Sequence, residues 1–311
     1  MTQIEELVAI GPAAEAAAHP TKAQEVVLEP GPRRVGRARY AASYLARRPG
    51  LLMSILWMTA VVLAAFVPSL FTSASPLAVG AAITAPPSWH HLFGTDQIGR
   101  DLFSRVVYGS SLSMRASLIA VLVGLSVGGP LGLVAGYVGG PLDAGLMRVV
   151  DVLLSIPALL LSLAVVLALG FGLTDVALAV GVAFIASSAR VTRGEVLKIR
   201  QSPYVEAARA GGARQGRVLV RHVLPSAVEP LLVLAALEFG EAILYISTLS
   251  FLGYGVQPPA PEWGAMLDAG RNFVIQAWWL EIFPGLAIVA CALAVTTVGR
   301  YLRQRLEGEI S

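Results

Sequence analysis

Long apolar stretches, separated by short polar segments, dominate the chain after its first fifty residues. A helix that crosses about 30 Å of hydrocarbon needs about 20 apolar residues and satisfies its own backbone hydrogen bonds. Four charge-free stretches have that length: Leu51 to Leu70, and those between Arg115 and Asp143, between Asp151 and Asp175, and between Glu281 and Arg300. Two others are weaker. The run between Asp175 and Arg190 is short unless its end arginine snorkels, and Pro230 to Leu252 is interrupted by Glu238 and Glu241. The pattern predicts an all-α, polytopic membrane protein with six transmembrane helices. Residues 1–48 form a polar N-tail, expected to be largely disordered, and 49–111 hold the first span and an external loop. Residues 112–305 form the core, with a polar loop at 190–225, and 306–311 form a short tail.

Composition agrees, with 56% hydrophobic and 14% charged residues, against about 25% charged in soluble domains. The N-terminal residues do not resemble a secretory signal, because the first apolar run follows Arg47 and Arg48. With six spans both termini share a side. All but four of the 23 lysines and arginines then fall on that side with the 190–225 loop, the exceptions being Arg100, Arg105, Arg115 and Arg271. The positive-inside rule makes it cytoplasmic. This distribution by side explains the basic balance without a nucleic-acid partner. Cys291 lies inside the last span and reads as a small packing residue.

Within the second span Gly124, Gly128, Gly132 and Gly136 continue Ala116 and Ala120 at four-residue spacing, a bare face that admits another helix closely. Pro130 beside Gly129 predicts a kink. In the fifth span Glu238, Glu241, Tyr245 and Thr248 share one face. Carboxylates at that depth either line a path for cationic or amine-bearing solutes or pair with groups on a neighbouring helix. His90, His91, Asp96 and Asp101 lie in a Pro/Gly-rich loop with a spacing that fits no compact metal site. Trp278 and Trp279 fit an interfacial belt before the last span.

The segment YVEAARAGGARQGRVLVRHVLP (Tyr204 to Pro225) predicts two short helices bent at Gly211 and Gly212, with Pro225 breaking the chain before the fifth span. Glu206, Ala207, Ala208, Gly212 and Leu224-Pro225 resemble the EAA loop of permease subunits in binding-protein-dependent ABC importers, His222 replacing the usual aliphatic residue. Further stretches, HLFGTDQIGRDLFSRVVYG (His91 to Gly109), GYVGGPLDAGLMRVVDVLLSIP (Gly136 to Pro157), LSFLGYGVQPPAPEWGAML (Leu249 to Leu267) and WWLEIFPGLAI (Trp278 to Ile288), resemble the C-type permeases of dipeptide, oligopeptide and nickel importers. The chain departs from those at Ile246, where a glutamate is frequent, and at Arg300-Tyr301, where an acidic residue is.

The resemblance implies an ABC type I importer permease in a prokaryotic inner membrane that is not itself an enzyme. Its implied partners are a B-type permease completing a heterodimer, two ATP-binding domains on one or two cytoplasmic chains, an extracytoplasmic solute-binding protein and the bilayer. ATP and Mg belong to the ATPase, since no GxxxxGK[ST] occurs here. Glu206, Ala207, Ala208, Arg209, Gly212 and Pro225 are the implied coupling residues. Dipeptides or oligopeptides are the implied cargo, with nickel chelates, glutathione or haem as related solutes. The rival reading is a stand-alone, ion-coupled secondary transporter using Glu238 and Glu241, which predicts an internal repeat that inspection does not find.

Overall fold

The structure, a computed structural model, describes residues 48–306, and every regular element among them is helical. The expectations for a disordered N-tail and for the last residues of the C-tail lie outside the described residues. Five helices are long and apolar enough to cross a membrane, and a sixth crossing exists if a sharply bent pair is counted as one.

The first helix, α1 (Pro49–Phe66), starts on a proline, whose missing N–H costs nothing in a first turn, and stops before Pro68. A single 3-10 turn (Pro68–Leu70) and then a long irregular segment follow. Asp101 then caps α2 (Leu102–Val138) by accepting from the Ser104 N–H at 2.8 Å. That cap starts the helix well before the charge-free window, and its 37 residues span about 55 Å. The helix continues unbroken through Pro130 to Gly139, whose φ of +72° ends it.

The glycine face of α2 lies on α5 (Leu173–Arg200). A methyl group on Gly124 would sit 2.7 Å from Phe184 Cβ, and one on Gly136 would sit 3.0 Å from the Arg193 carbonyl oxygen. On Gly128 and Gly132 it would overlap the carbonyl oxygens of Ile185 and Ala189. Ala116 and Ala120 are buried in the same seam. Backbones this close gain dispersion contacts along the seam, which is how helices associate where lipid is as apolar as their side chains.

The third crossing differs from its expected form. The apolar run between Asp151 and Asp175 is divided into α3 (Gly140–Ser155) and α4 (Ala158–Leu169), which meet at 94°. Pro157 explains the break: it lacks an N–H and forces Ile156 into an extended conformation, ψ 128°. Twelve residues of α4 cover only about 18 Å, so α4 alone is too short to span.

The fourth span also outruns its apolar window, because its basic end is paired. Arg190 bonds Asp151 and Arg193 bonds Asp143, both on α3, while Arg200 donates to the Tyr137 and Gly136 carbonyls at 3.1 and 3.4 Å. Two short helices follow, α6 (Pro203–Ala210) and α7 (Gln215–Val218), then a wide π turn (Leu219–Val223) that flows into α8 (Leu224–Phe251). After α9 (Trp263–Gly270), α10 (Trp279–Leu306) closes the bundle against α8 and α1. Cys291 is fully buried on α10, with Met58 Sδ 3.9 Å away.

Candidate functional site

The polar loop is a small, locked unit at the end of α2. Val205 on α6 is buried with Val196, Val218 and Val223, and Tyr137, Ile199, Ala208 and Ala213 pack around them. The Tyr137 hydroxyl donates to the Gln215 carbonyl at 2.6 Å, and Tyr204 Oη lies 3.0 Å from Ser226 Oγ. Arg209 stands over the Tyr137 ring, 5.9 Å from its centroid. The loop is thus tied to α2, α5 and α8 together.

The end of α6 is a Schellman motif. The Gly212 N–H bonds the Arg209 carbonyl at 2.9 Å, the Ala213 N–H bonds the Ala208 carbonyl at 3.1 Å, and Gly212 has φ +80°. This geometry gives two motif residues their reasons. Gly212 is the left-handed residue that reverses the chain, and Ala208 is the small side chain that meets Ala213 where such a motif places its apolar contact. With Val205 turned inward, Glu206, Ala207, Arg209 and Ala210 face outward and exposed, as do Gly211 and Gly212.

Pro225 does not break the chain. The helix is continuous from Gln215 to Phe251, and the Leu224 N–H reaches back five residues to the Leu219 carbonyl. A π turn widens the backbone where the Pro225 ring would otherwise meet the carbonyl four residues earlier. Pro225 itself is exposed.

The acidic stripe of α8 divides. Glu238 is buried against α5 and accepts from Ser187 Oγ at 2.8 Å and from Ser188 Oγ at 3.0 and 3.1 Å. Tyr245 packs near Phe184 of the same helix, centroids 6.0 Å apart, and the Thr248 hydroxyl returns to the Leu244 carbonyl at 2.7 Å. Glu241 is exposed. Ile246, where a glutamate was expected from the resemblance, is fully buried in the main core.

At the far end of α2 the other sequence motifs converge. Asp96 accepts from Arg100 Nε at 2.5 Å and from the Ile98 and Arg100 N–H groups, with Arg105 Nε 3.6 Å away. Arg105 also donates to the carbonyls of Pro76 and Pro259, at 3.1 and 3.2 Å. Glu262 caps α9 through the Gly264 and Ala265 N–H groups and accepts from Ser113 Oγ at 3.0 Å, while Trp263 Nε1 donates to the Val106 carbonyl. Full burial pushes the Glu262 carboxyl pKa upward, against the pull of those hydrogen bonds.

His91 bonds Asp101, the helix cap, at 3.0 Å, Asp96 is taken by its ion pair with Arg100, and His90 is exposed, so the four residues weighed as a metal set are not brought together. Trp278 is half exposed, but Trp279 is not a belt residue: it is buried and donates to the Thr95 carbonyl at 3.1 Å. Sequence reasoning missed Arg105, Ser113, Glu262, Tyr137 and Arg200. Three of them lie inside stretches that carried the family resemblance, which was the available signal.

Residues 128–310 match the family described as binding-protein-dependent transport system inner membrane component. The chain is 44% identical over 222 residues to the probable D,D-dipeptide transport system permease protein DdpC of Escherichia coli (strain K12), covering 71% of this chain and 74% of that protein. It is 39% identical over 267 residues to a putative peptide transport system permease protein of Brucella suis biovar 1, covering 86% and 90%. Against the glutathione transport system permease protein GsiD of Pectobacterium atrosepticum the identity is 42% over 224 residues, covering 72% and 74%. Its fold is similar to a chain of the inward-facing MetNI methionine ABC transporter, at TM-score 0.53 and 20% identity over 64% of this chain and 95% of that one. The chain belongs to the family of inner membrane components of binding-protein-dependent transport systems, as a multi-pass permease subunit.

Proposed function

We propose that the chain is the C-type half of a heterodimeric permease that imports short peptides, completed by a B-type permease, two ATP-binding domains on one or two cytoplasmic chains, and an extracytoplasmic solute-binding protein. The names of its relatives, which concern D,D-dipeptides, peptides and glutathione, support this cargo. The excess of lysine and arginine on the loop side supports placing both termini and the 190–225 loop in the cytoplasm.

One observation carries the coupling role. The short helix α6 is pinned by buried Val205, yet presents Glu206, Ala207, Arg209 and Ala210 outward. Small residues let a partner's cleft close on the helix, and the glutamate and arginine give it polar anchors. Pro225 continues this exposed surface at the start of α8. When ATP closes the ATPase pair, a displacement of α6 passes through Tyr137 and Arg200 to the tightly seamed α2 and α5, which then move as one body. Nucleotide shifts the balance of inward-open and outward-open states because it binds them differently.

Along α8, an exposed carboxylate at Glu241 is too costly to face lipid, and it belongs on the surface shared with the second permease, where Thr248 follows it. Co-purification of the ATPase with the permease pair tests the docking. Scrambling Glu206 to Gly212 abolishes it if the reading holds, and a complex of unchanged stability defeats it.

A further inference from the structure

A cleft of about 470 Å³ opens between α5 and α8 at the loop end of the bundle, within the roughly 300–1,000 Å³ of small-molecule sites. Its α5 wall is Val191, Glu195 and Lys198, spaced by four and three residues so that they share a face. Its α8 wall includes Glu229, Val233 and Leu237, and Arg303 of α10 closes one side. Apolar walls thus carry two carboxylates and two cations at their rim.

The charges are unevenly engaged. Lys198 Nζ lies 2.6 Å from Glu195 Oε1, whereas Glu229, which is exposed, has no ion pair among the described residues. On α8 the lining of the cleft reaches Leu237, about one turn from Glu241. Pro230, Val233, Leu237, Glu241 and Thr248 follow one another on α8 at steps of three, four, four and seven residues, a single helical face. Glu238 lies one residue further round and is held by Ser187 and Ser188, so it is turned out of this track. That face leads from the exposed Glu241 to the cleft-lining residues Leu237, Val233 and Pro230.

We propose that this cleft is the cytoplasmic exit site for the transported peptide, with Glu229 receiving its ammonium group and Lys198, on the opposite wall, its carboxylate. The proposal rests on the peptide reading and on the cytoplasmic placement of the loop end. The charge pattern selects a zwitterion over a purely anionic headgroup, because an anion would meet a like charge at Glu195 and Glu229. In the importing cycle, solute leaving Glu241 would find a second carboxylate at Glu229 about three turns closer to the cytoplasm.

Cysteine protection tests it. The chain's single cysteine, Cys291, is fully buried, so the cysteine of Leu234→Cys, on the cleft wall, is the reporter. The complete complex is assembled in nanodiscs, and L-Ala-L-Ala, D-Ala-D-Ala and glutathione are screened for stimulation of ATP hydrolysis with the binding protein. The stimulating peptide is then added to nucleotide-free complex during labelling with a charged maleimide. It should slow labelling, its N-acetylated and C-amidated form should not, and Glu229→Gln should raise the concentration needed for protection about tenfold, the loss of one charge-assisted contact. Val191→Cys on the opposite wall should behave in the same way.

A peptide that is imported but gives no protection, or protection equal for the capped form, overturns the exit site alone. Protection by phosphatidylglycerol in place of peptide, or failure of the cysteine to label in the intact complex, overturns it as well. A complex that responds to none of the three peptides overturns the peptide reading, and this site with it.

Discussion

Arg193 on α5 holds Asp143 on α3 through both carboxylate oxygens, Nε to Oδ1 at 2.5 Å and Nη2 to Oδ2 at 2.7 Å. The fork fixes the direction of a helix that has no continuous partner beyond its own bend, since α3 and α4 turn by 94° at Pro157. Arg193→Lys keeps the charge but loses the second bond. Because the pair is part-exposed, a double-mutant cycle with Arg193→Ala and Asp143→Ala should give a coupling of about 1 kcal/mol. Thermal unfolding of the purified chain in detergent measures it. A coupling of zero would leave the orientation of α3 to packing and to the Arg190–Asp151 pair.

The α2 and α5 seam predicts opposite outcomes for adjacent glycines. Gly128→Ala drives a methyl group into the Ile185 carbonyl and within 2.7 Å of Ser188 Cβ, whereas Gly129→Ala meets nothing within 4 Å. Overpacking typically costs about 1–3 kcal/mol. Gly129→Ala should be neutral or slightly stabilising, because alanine favours a helix interior by roughly 0.8–1.0 kcal/mol over glycine where its methyl group meets no neighbour. Melting temperatures of the two variants, compared in the same detergent, separate them. Equal losses would show that the seam relaxes freely.

Much of this was legible in the sequence. The four-residue glycine spacing placed the seam, and EAA with its following glycine placed the short helix α6 and its turn, because each pattern follows from a helical period or a local dihedral. The broken third crossing was not legible from charge-free length: hydropathy averages over Pro157, and the ion pairs of Asp151 and Asp143 that tie α3 to α5 join residues 39 and 50 apart in sequence. The division between Glu238 and Glu241 was equally hidden. Helical periodicity puts them near one face, and only the serines of α5 decide which carboxylate is claimed. Pro225 misled for a related reason, since a π turn is a backbone adjustment with no composition of its own.

At the loop, Gly212 and Gly211 should separate conformation from bulk. Gly212 has φ +80° with open space around it, and Gly211 has φ −74°. Gly212→Ala should therefore cost about 1–2 kcal/mol of local strain although nothing clashes, loosening the end of α6 and weakening ATPase retention on an affinity column. Gly211→Ala should retain the ATPase nearly as the parent does. If both variants lose it equally, the surface at the glycine pair matters more than its turn.

Glu262 predicts a pH dependence at the opposite end of the bundle. Its folded-state pKa is raised by burial above the unfolded carboxylate value of about 4.3. The folded protein therefore favours the protonated form, and this contribution is full below the unfolded pKa and is lost as pH rises through the folded one. Stability should fall over that window in the parent, and the slope should be shallower in Glu262→Gln, which keeps a carbonyl acceptor for one N–H of α9. Melting curves taken between acid and neutral pH test this. An unchanged slope in Glu262→Gln would assign the pH dependence to other groups.

The divided stripe of α8 makes a final pair of variants informative. Glu238→Gln leaves an acceptor for Ser187 and Ser188, so its effect should be confined to packing, of the order of 1 kcal/mol for a modified buried hydrogen bond. Glu241 has no hydrogen-bond partner among the described residues, so the stability of Glu241→Gln should match the parent. Transport should respond in the reverse order if Glu241 faces the path: uptake of an amine-bearing peptide into proteoliposomes drops with Glu241→Gln and holds with Glu238→Gln. Removing the ammonium group from the peptide should erase the difference between parent and Glu241→Gln. If Glu241→Gln imports every peptide at the parental rate, the exposed carboxylate serves the permease partner instead, and a cation on that partner becomes the residue to seek.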